Sequence, residues 1–352
     1  MKKSGFFTMA LLAVGAVFAL SVHFLLYLYL PMDREERHKI VDIPDGAHMR
    51  VVAELLAKEG LIEHQDYFIL LGKLTLTERN IHPGEYDFHS RMLPLEILNL
   101  LRRGKIIQYE VSIPEGWSSY MIADLLEEKT LANRATFLHL IHDPVFIQSL
   151  NLNEKSLEGY LFPSTYFFPK RIKTEDIIRK MVNTFKQEYS SDIELSAGKF
   201  HMTQHDVVTL ASIIEKETGV DDERGWVSAV FHNRIEKHIP LQSDPTVVYE
   251  VKEYNGKITK KMLLTKTPYN TYRIPGLPIG PIANPGKKSM LAAVHPASVE
   301  YLYFVAKGNG THQFSTTLKE HNKAVNTYQK KITVSRASSQ KKLKAASTKS
   351  KI

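Results

Sequence analysis

The chain has 352 residues, enough for two domains once an anchor and a tail are set aside. It contains no cysteine, which excludes disulfides, cysteine-ligated zinc, iron–sulfur clusters and a thiol nucleophile. Of its formal charge of +8, six units come from Arg336, Lys341, Lys342, Lys344, Lys349 and Lys351 in the segment 335–352, so the body is nearly neutral and a broad nucleic-acid-binding face is not expected. Lys2 and Lys3 precede residues 5–30, a run whose polar members are Thr8, Ser21 and His23. As a helix at ~1.5 Å per residue this run exceeds the ~30 Å hydrocarbon thickness of a bilayer. It ends in bulky residues, with Tyr27 and Tyr29 suited to the interfacial belt and no small-residue cleavage site, so it reads as an uncleaved transmembrane signal anchor. The charges on its two flanks do not settle which side the body occupies. Residues 31–40 are a short charged linker.

An internal echo follows. Ile43-Pro-Asp-Gly46 with Ala53-Glu-Leu-Leu56 matches Ile113-Pro-Glu-Gly116 with Ala123-Asp-Leu-Leu126, 70 residues apart. Each copy predicts a strand end, a Pro-acid-Gly turn and an amphipathic helix. Between them the pattern predicts a helix over 66–76, a strand over 84–88, a helix over 93–101 stopped by Gly104, and a strand over 106–113. Residues 41–108 thus form a small α+β module, too short for an elaborate enzyme site and better suited to binding or spacing.

From residue 109 a larger α+β domain is expected to run to 334. Helices are predicted over 123–129, 135–141, 173–189, 227–235, 289–294 and 318–332, and strands over 301–306 and 312–315 around a Gly308-Asn-Gly310 turn. Three turn-rich stretches, 157–166, 240–249 and 269–286, carry apolar residues between their Pro, Gly and Asn and read as ordered loops. The tail 335–352 lacks a hydrophobic pattern and is expected to be disordered.

The stretch 210–219 draws the most chemistry. It closes a helix opened by Thr203, with Asp206 three residues on as a capping box and Gly219 as the stop. Val207, Val208, Leu210, Ala211, Ile213 and Ile214 make one apolar arc, and Glu215 and Glu217 fall on its flanks. An unpaired carboxylate there would be pushed toward its protonated form, as a general acid requires; alternatively each glutamate pairs with an Arg or Lys at a helix edge. Aromatic loops and the amides of Gln242 and Asn270 suit a sugar polymer, whose rings stack and whose hydroxyls bond amides. Asp244 and Glu158 are the candidate second carboxylates, Asp244 also being placed to cap a turn. His295 and His312 are the candidate functional histidines. Metalloprotease, nucleotide and common serine-hydrolase motifs are absent, and no metal or cofactor is expected.

The segments Leu157-Glu-Gly-Tyr-Leu-Phe-Pro163, Ala211-Ser-Ile-Ile-Glu-Lys-Glu-Thr218, Leu241-Gln-Ser-Asp-Pro-Thr-Val-Val-Tyr249, Tyr269-Asn-Thr-Tyr272 and Ala293-Val-His-Pro-Ala297 with Tyr301-Leu-Tyr-Phe-Val305 resemble the YceG-like (MltG) endolytic murein transglycosylases, in order over roughly 40–330. Tyr160, where the family often has Trp, and the basic tail depart from the pattern. The resemblance implies a single-pass protein of the bacterial inner membrane, with residues 1–4 cytoplasmic and the body on the periplasmic side. It implies a LysM-like subdomain at 41–108 ahead of a catalytic domain at 109–334. It further implies Glu215 as acid and then base in non-hydrolytic cleavage of peptidoglycan strands, ending their growth beside the peptidoglycan synthases. Gln242, Asp244, Asn270, Tyr272, His295 and Glu158 are then the expected substrate contacts or supports. A lysozyme-like hydrolase and a non-enzymatic glycan-binding scaffold are the alternatives.

Overall fold

The computed structural model describes residues 2–31, 35–251 and 254–328. The chain divides into two compact units, Met1–Val111 with Phe167–Ile172, and Ser112–Tyr166 with Lys173–Ile352. The first module, read from the sequence as one continuous piece, therefore takes back a later excursion.

In the first unit, α1 (Lys2–Tyr29) is one uninterrupted helix. Its segment Leu11–Tyr29 is, among the described residues, the one helix long and apolar enough to cross a membrane. Then come β1 (His38–Ile43), α2 (Met49–Lys58), α3 (Gln65–Leu74), β2 (Gly84–His89), α4 (Pro94–Arg103) and β3 (Tyr109–Ser112, whose last residue belongs to the second unit). β1 and β2 pair antiparallel, from His38 opposite His89 to Ile43 opposite Gly84. The period of two buries Val41 and Ile43 from one strand and Tyr86 and Phe88 from the other. α2 covers this core with Met49, Val52, Ala53 and Leu56, the spacing of one helical face. The helix expected to reach 76 stops at Leu74, because Leu76 turns left-handed at φ 56°. Gly104 ends α4 at φ 63°. The strand expected over 106–113 narrows to 109–112.

The second unit contains α5 (Ser119–Glu128), α6 (Arg134–Leu140), α7 (Pro144–Ser149), β4 (Thr165–Phe168, whose last two residues lie in the excursion), α8 (Thr174–Glu188), α9 (Ser191–Lys199), α10 (Gln204–Glu217), α11 (Asp221–Glu236), α12 (Asp244–Val248), α13 (Lys260–Leu264), α14 (Lys287–Val294), β5 (Tyr303–Ala306) and β6 (His312–Ser315). β5 and β6 form the expected hairpin, with Tyr303 opposite Ser315 and Ala306 opposite His312. A last helix begins at 318 and is described to 328; its expected end at 332 and the tail 335–352 lie outside the described residues.

α10 is the hub, packed by α9, α11 and α14. Every residue from Val207 to Ile214 is buried, Thr209 and Ser212 included, so the expected one-sided arc is a helix enclosed on all faces. The Ser212 hydroxyl satisfies itself on Thr209 O and accepts from Ile282 N. α11 begins six residues before the expected Val227. Its opening acids Asp221, Asp222 and Glu223 interrupt the apolar period but suit the positive end of a helix. The short helices α7, α9, α12 and α13 escape sequence reading because one or two turns give too little periodicity.

Candidate active site

The capping box forms as expected. Thr203 Oγ1 accepts from Asp206 N at 3.2 Å, and Asp206 Oδ2 accepts from Thr203 N at 2.9 Å. The stop differs. Thr218 leaves the helix in an extended conformation at φ −140° and ends α10 at Glu217; Gly219 is not among the positive-φ residues, so it is no left-handed cap.

This early stop presents Glu215 and Glu217 at the helix end with different partners. Glu215 has a side chain only 6% exposed. Arg224, from the first turn of α11, donates to its Oε1 at 3.4 Å, and the Gly286 N–H donates to its Oε2 at 3.1 Å. Gly286 is the residue from which α14 starts, so the positive end of that helix faces the carboxylate. Arg224 is equally buried and also reaches Asp221 and the Ser289 hydroxyl. Glu215 is therefore not an unpaired acid on an apolar face: it is the arginine-paired glutamate of the alternative reading.

The raised acid expected on the arc is Glu217. Burial pushes its carboxyl up to about 7, with Asp244 adding to the rise, while the Ser243 hydroxyl, donating at 2.5 Å, opposes it. Ser243 sits in the stretch 241–249, which is stitched to 269–272. Gln242 N donates to Thr271 O at 3.2 Å, Ser243 N to Thr271 Oγ1 at 3.0 Å, and Tyr272 OH to Asp244 Oδ1 at 2.7 Å. Gln242 and Asp244 are exposed and Tyr272 is half-buried, so these three border the helix end with groups open to a ligand.

Three other candidates are committed to internal bonds. Asn270 is 1% exposed; its amide donates to Met262 O, Leu263 O and Thr265 O, and its oxygen accepts from Tyr272 N. It holds the loop and is not placed to bond a sugar. His295 bonds Ser196 Oγ and Leu291 O at the far end of α14 from Gly286, about 13.5 Å along the axis at ~1.5 Å per residue. Glu158 is 2% exposed and accepts from Ser119 N, Ser119 Oγ, Tyr249 OH and Asn284 Nδ2. Burial raises its carboxyl, and the Ser119 hydroxyl and N–H, the Tyr249 hydroxyl and the Gly159 N–H pull it back. A carboxylate so enclosed is a structural knot, not the second acid of a cleft. His312 is likewise engaged, its Nδ1 on the buried Glu223 at 2.7 Å.

Sequence reasoning missed Arg224, Gly286, Asn284 and Glu115. Asn284 Oδ1 accepts from Gly159 N and Leu161 N, and its backbone exchanges bonds with Gly116 N and Trp117 O. It thereby ties the second turn of the echo to the stretches 157–166 and 269–286. Glu115 lies in that turn, over the Cα of Gly286, where a methyl group would overlap its carboxylate. The echo marked this acid as a turn residue, and an arginine in the first turn after α10 was the available hint of a partner for Glu215.

An α-helical hub ending in two semi-buried glutamates, bordered by polar loops, lies in a chain whose N-terminal helix is compatible with a single membrane span. A sequence model of the YceG-like family matches residues 41–327, and the chain belongs to that family. It is similar to an endolytic murein transglycosylase of Bacillus subtilis (strain 168), 33% identical over 318 residues, 85% of this chain and 87% of that protein. An endolytic murein transglycosylase of Streptococcus pneumoniae serotype 2 (strain D39 / NCTC 7466) is 26% identical, over 90% of this chain and 63% of that longer protein. A crystal structure of a putative yceG-like protein from Listeria monocytogenes overlays with a TM-score of 0.57 at 34% identity, covering 81% of this chain and 98% of that one.

Proposed function

We propose that this protein is an endolytic peptidoglycan lytic transglycosylase that cuts the β-1,4 bond between N-acetylmuramic acid and N-acetylglucosamine in nascent strands. The relatives named endolytic murein transglycosylase support this reading. The carrying observation is Glu215: α10, α11, the start of α14 and the second Pro-acid-Gly turn all converge on its carboxylate. In the reaction, the Glu215 carboxylic acid gives its proton to the bridging oxygen as that oxygen leaves C1. The resulting carboxylate takes the proton of the muramic C6 hydroxyl, whose oxygen bonds to C1 and closes a 1,6-anhydro ring. No water is consumed, and Glu215 ends protonated as it began. Arg224 and the Gly286 N–H receive the charge between the two transfers. Gln242, Asp244 and Tyr272 bind sugar at the rim.

One residue serving as acid and then base agrees with the absence of a dyad between Glu215 and either expected partner: Glu158 is locked in the core, and Asp244 stands by Glu217. The anchor α1 holds the body at the outer face of the bacterial inner membrane, where strands emerge from the synthases it works beside. Residues 41–108 serve as a LysM-like glycan-binding subdomain.

The test is cleavage of uncrosslinked glycan by the full-length protein in detergent micelles, with product ends read by mass spectrometry. Anhydro ends are expected, and Glu215→Gln should lower their rate by about 10²–10⁴-fold. Reducing ends, heavier by one water, would make the protein a hydrolase; intact strands would leave a glycan-binding scaffold.

A further inference from the structure

Arg224 and Gly286 both donate to Glu215, yet protonating a leaving oxygen requires a proton on that same carboxyl. The local counterweight is Glu115. Arg224 Nη2 stands 3.4 Å from Glu215 Oε1 and 4.0 Å from Glu115 Oε2, so one guanidinium nitrogen serves two carboxylates. A Cβ on Gly116, the next residue, would lie 3.4 Å from Glu215 Cγ, which shows how closely this turn covers the helix end. Glu115 is 47% exposed while Glu215 is 6% exposed, so the two carboxylates form an outer and an inner member of one group. The charged groups around Glu115 are Glu215 and Lys216 from α10, Asp221 and Arg224 from α11, and Lys288 from α14.

We propose that Glu115 is a positioning residue for glycan cleavage, acting through the shared Arg224 to keep a proton on the glutamate pair that Glu215 spends on the leaving oxygen. This rests on the reading of Glu215 given above. With both carboxylates ionised, two negative charges crowd a cation already engaged by Asp221, and one proton in the pair relieves that repulsion. Burial and the Glu215 charge push the Glu115 carboxyl above its ordinary range, against the pull of Arg224 and Lys288. Removing the Glu115 charge removes the repulsion that favours one proton in the pair, so glycan cleavage should fail at lower pH.

The experiment is the pH profile of kcat and KM for uncrosslinked glycan, using full-length protein in micelles. Glu115→Gln should move the alkaline limb of kcat about one pH unit lower, the size of a like-charge coupling, and leave KM within about twofold. Glu115→Asp keeps the charge and should keep the wild-type limb. A Glu115→Gln profile that superposes on wild type overturns the proposal. A wild-type protein that cuts no glycan overturns the reading of Glu215 and this inference with it, and is recognised before any substitution is made. Carbon-13 NMR of the glutamate carboxyls is a second readout that needs no turnover: in Glu215→Gln the Glu115 signal should titrate lower than in wild type. An unmoved Glu115 titration overturns the coupling.

Discussion

The two Ile-Pro-acid-Gly copies share a frame and differ in what surrounds it. The buried positions of α2 are Met49, Val52, Ala53 and Leu56; those of α5 are Ser119, Ile122, Ala123 and Leu126, each 70 residues on. Val41 and Ile43 match Val111 and Ile113, all buried. Gly46 and Gly116 take the same left-handed turn, φ 70° and 74°. Around the first turn there is open space: Asp45 is exposed, and a Cβ on Gly46 would meet nothing within 4 Å. Around the second, Gly116 N bonds Asn284 O, Gly116 O accepts from Lys216, and Glu115 shares Arg224 with Glu215. Where the first copy buries a methionine, the second buries Ser119, whose N–H and hydroxyl both bond Glu158. A strand–turn–helix motif thus stays a structural element in one setting and becomes a wall of the candidate site in the other, by exchange of one buried position, Met49 for Ser119, and of what packs around the turn.

The sharpest way to break this contrast is Glu158→Ala. It leaves the Ser119, Tyr249 and Asn284 donors without their acceptor inside the core, and should cost about 3–5 kcal/mol, with the second turn loosened and the first unchanged. Thermal unfolding and amide exchange at residues 43–46 and 113–116 would check it; a loss below about 1 kcal/mol would remove the knot from the account.

A somewhat smaller effect is expected at Glu217, the last residue of α10. Its folded carboxyl is raised from 4.5 to about 7, so between those values the folded state holds a proton the unfolded chain has released. Stability should therefore fall as pH rises from about 4.5 to about 7 and level off above. Glu217→Gln should abolish the slope, matching wild type at low pH and exceeding it at pH 8 by an amount on the order of 3 kcal/mol. Denaturant melts across that range decide it, and parallel curves for the two proteins would refute the shift.

Gly46→Ala and Gly116→Ala give the smallest and most direct comparison. Both force a left-handed alanine, at about 1–2 kcal/mol each. Only Gly116→Ala places a methyl against Glu215, so matched losses of melting temperature with slower glycan cutting in that variant alone are expected. Equal activity in both would mean that the second turn does not confine Glu215.

The residues that read correctly from sequence are those whose signal is local. The repeat, the Thr203–Asp206 cap, the β5–β6 hairpin and the N-terminal apolar helix are each specified within a few neighbouring positions, as turn chemistry and period require. Glu215 was marked by its place on α10, but its environment was not, because Arg224, Gly286 and Glu115 approach from three other segments. The same limit explains Asn270 and Glu158. An amide in a polar loop reads as a ligand contact until the three carbonyls it satisfies are seen, and a carboxylate in an aromatic loop reads as exposed until its donors are. The missed Arg224 lay in an acid-rich stretch read as connection, where helix-end electrostatics outweighed apolar period.

The Asn284 amide carries a consequence for the order of assembly. Its bonds to Gly159 and Trp117 close loops of 125 and 167 residues. Such distant pairings form after local helices and hairpins, because the chain loses loop entropy before the contact repays it. The wall of the site is thus among the last parts of the second unit to lock. A chain still folding would hold α10 and its glutamates without the Asn284-tied turn that confines them, so competence to cut glycan would be a late property of the folded unit.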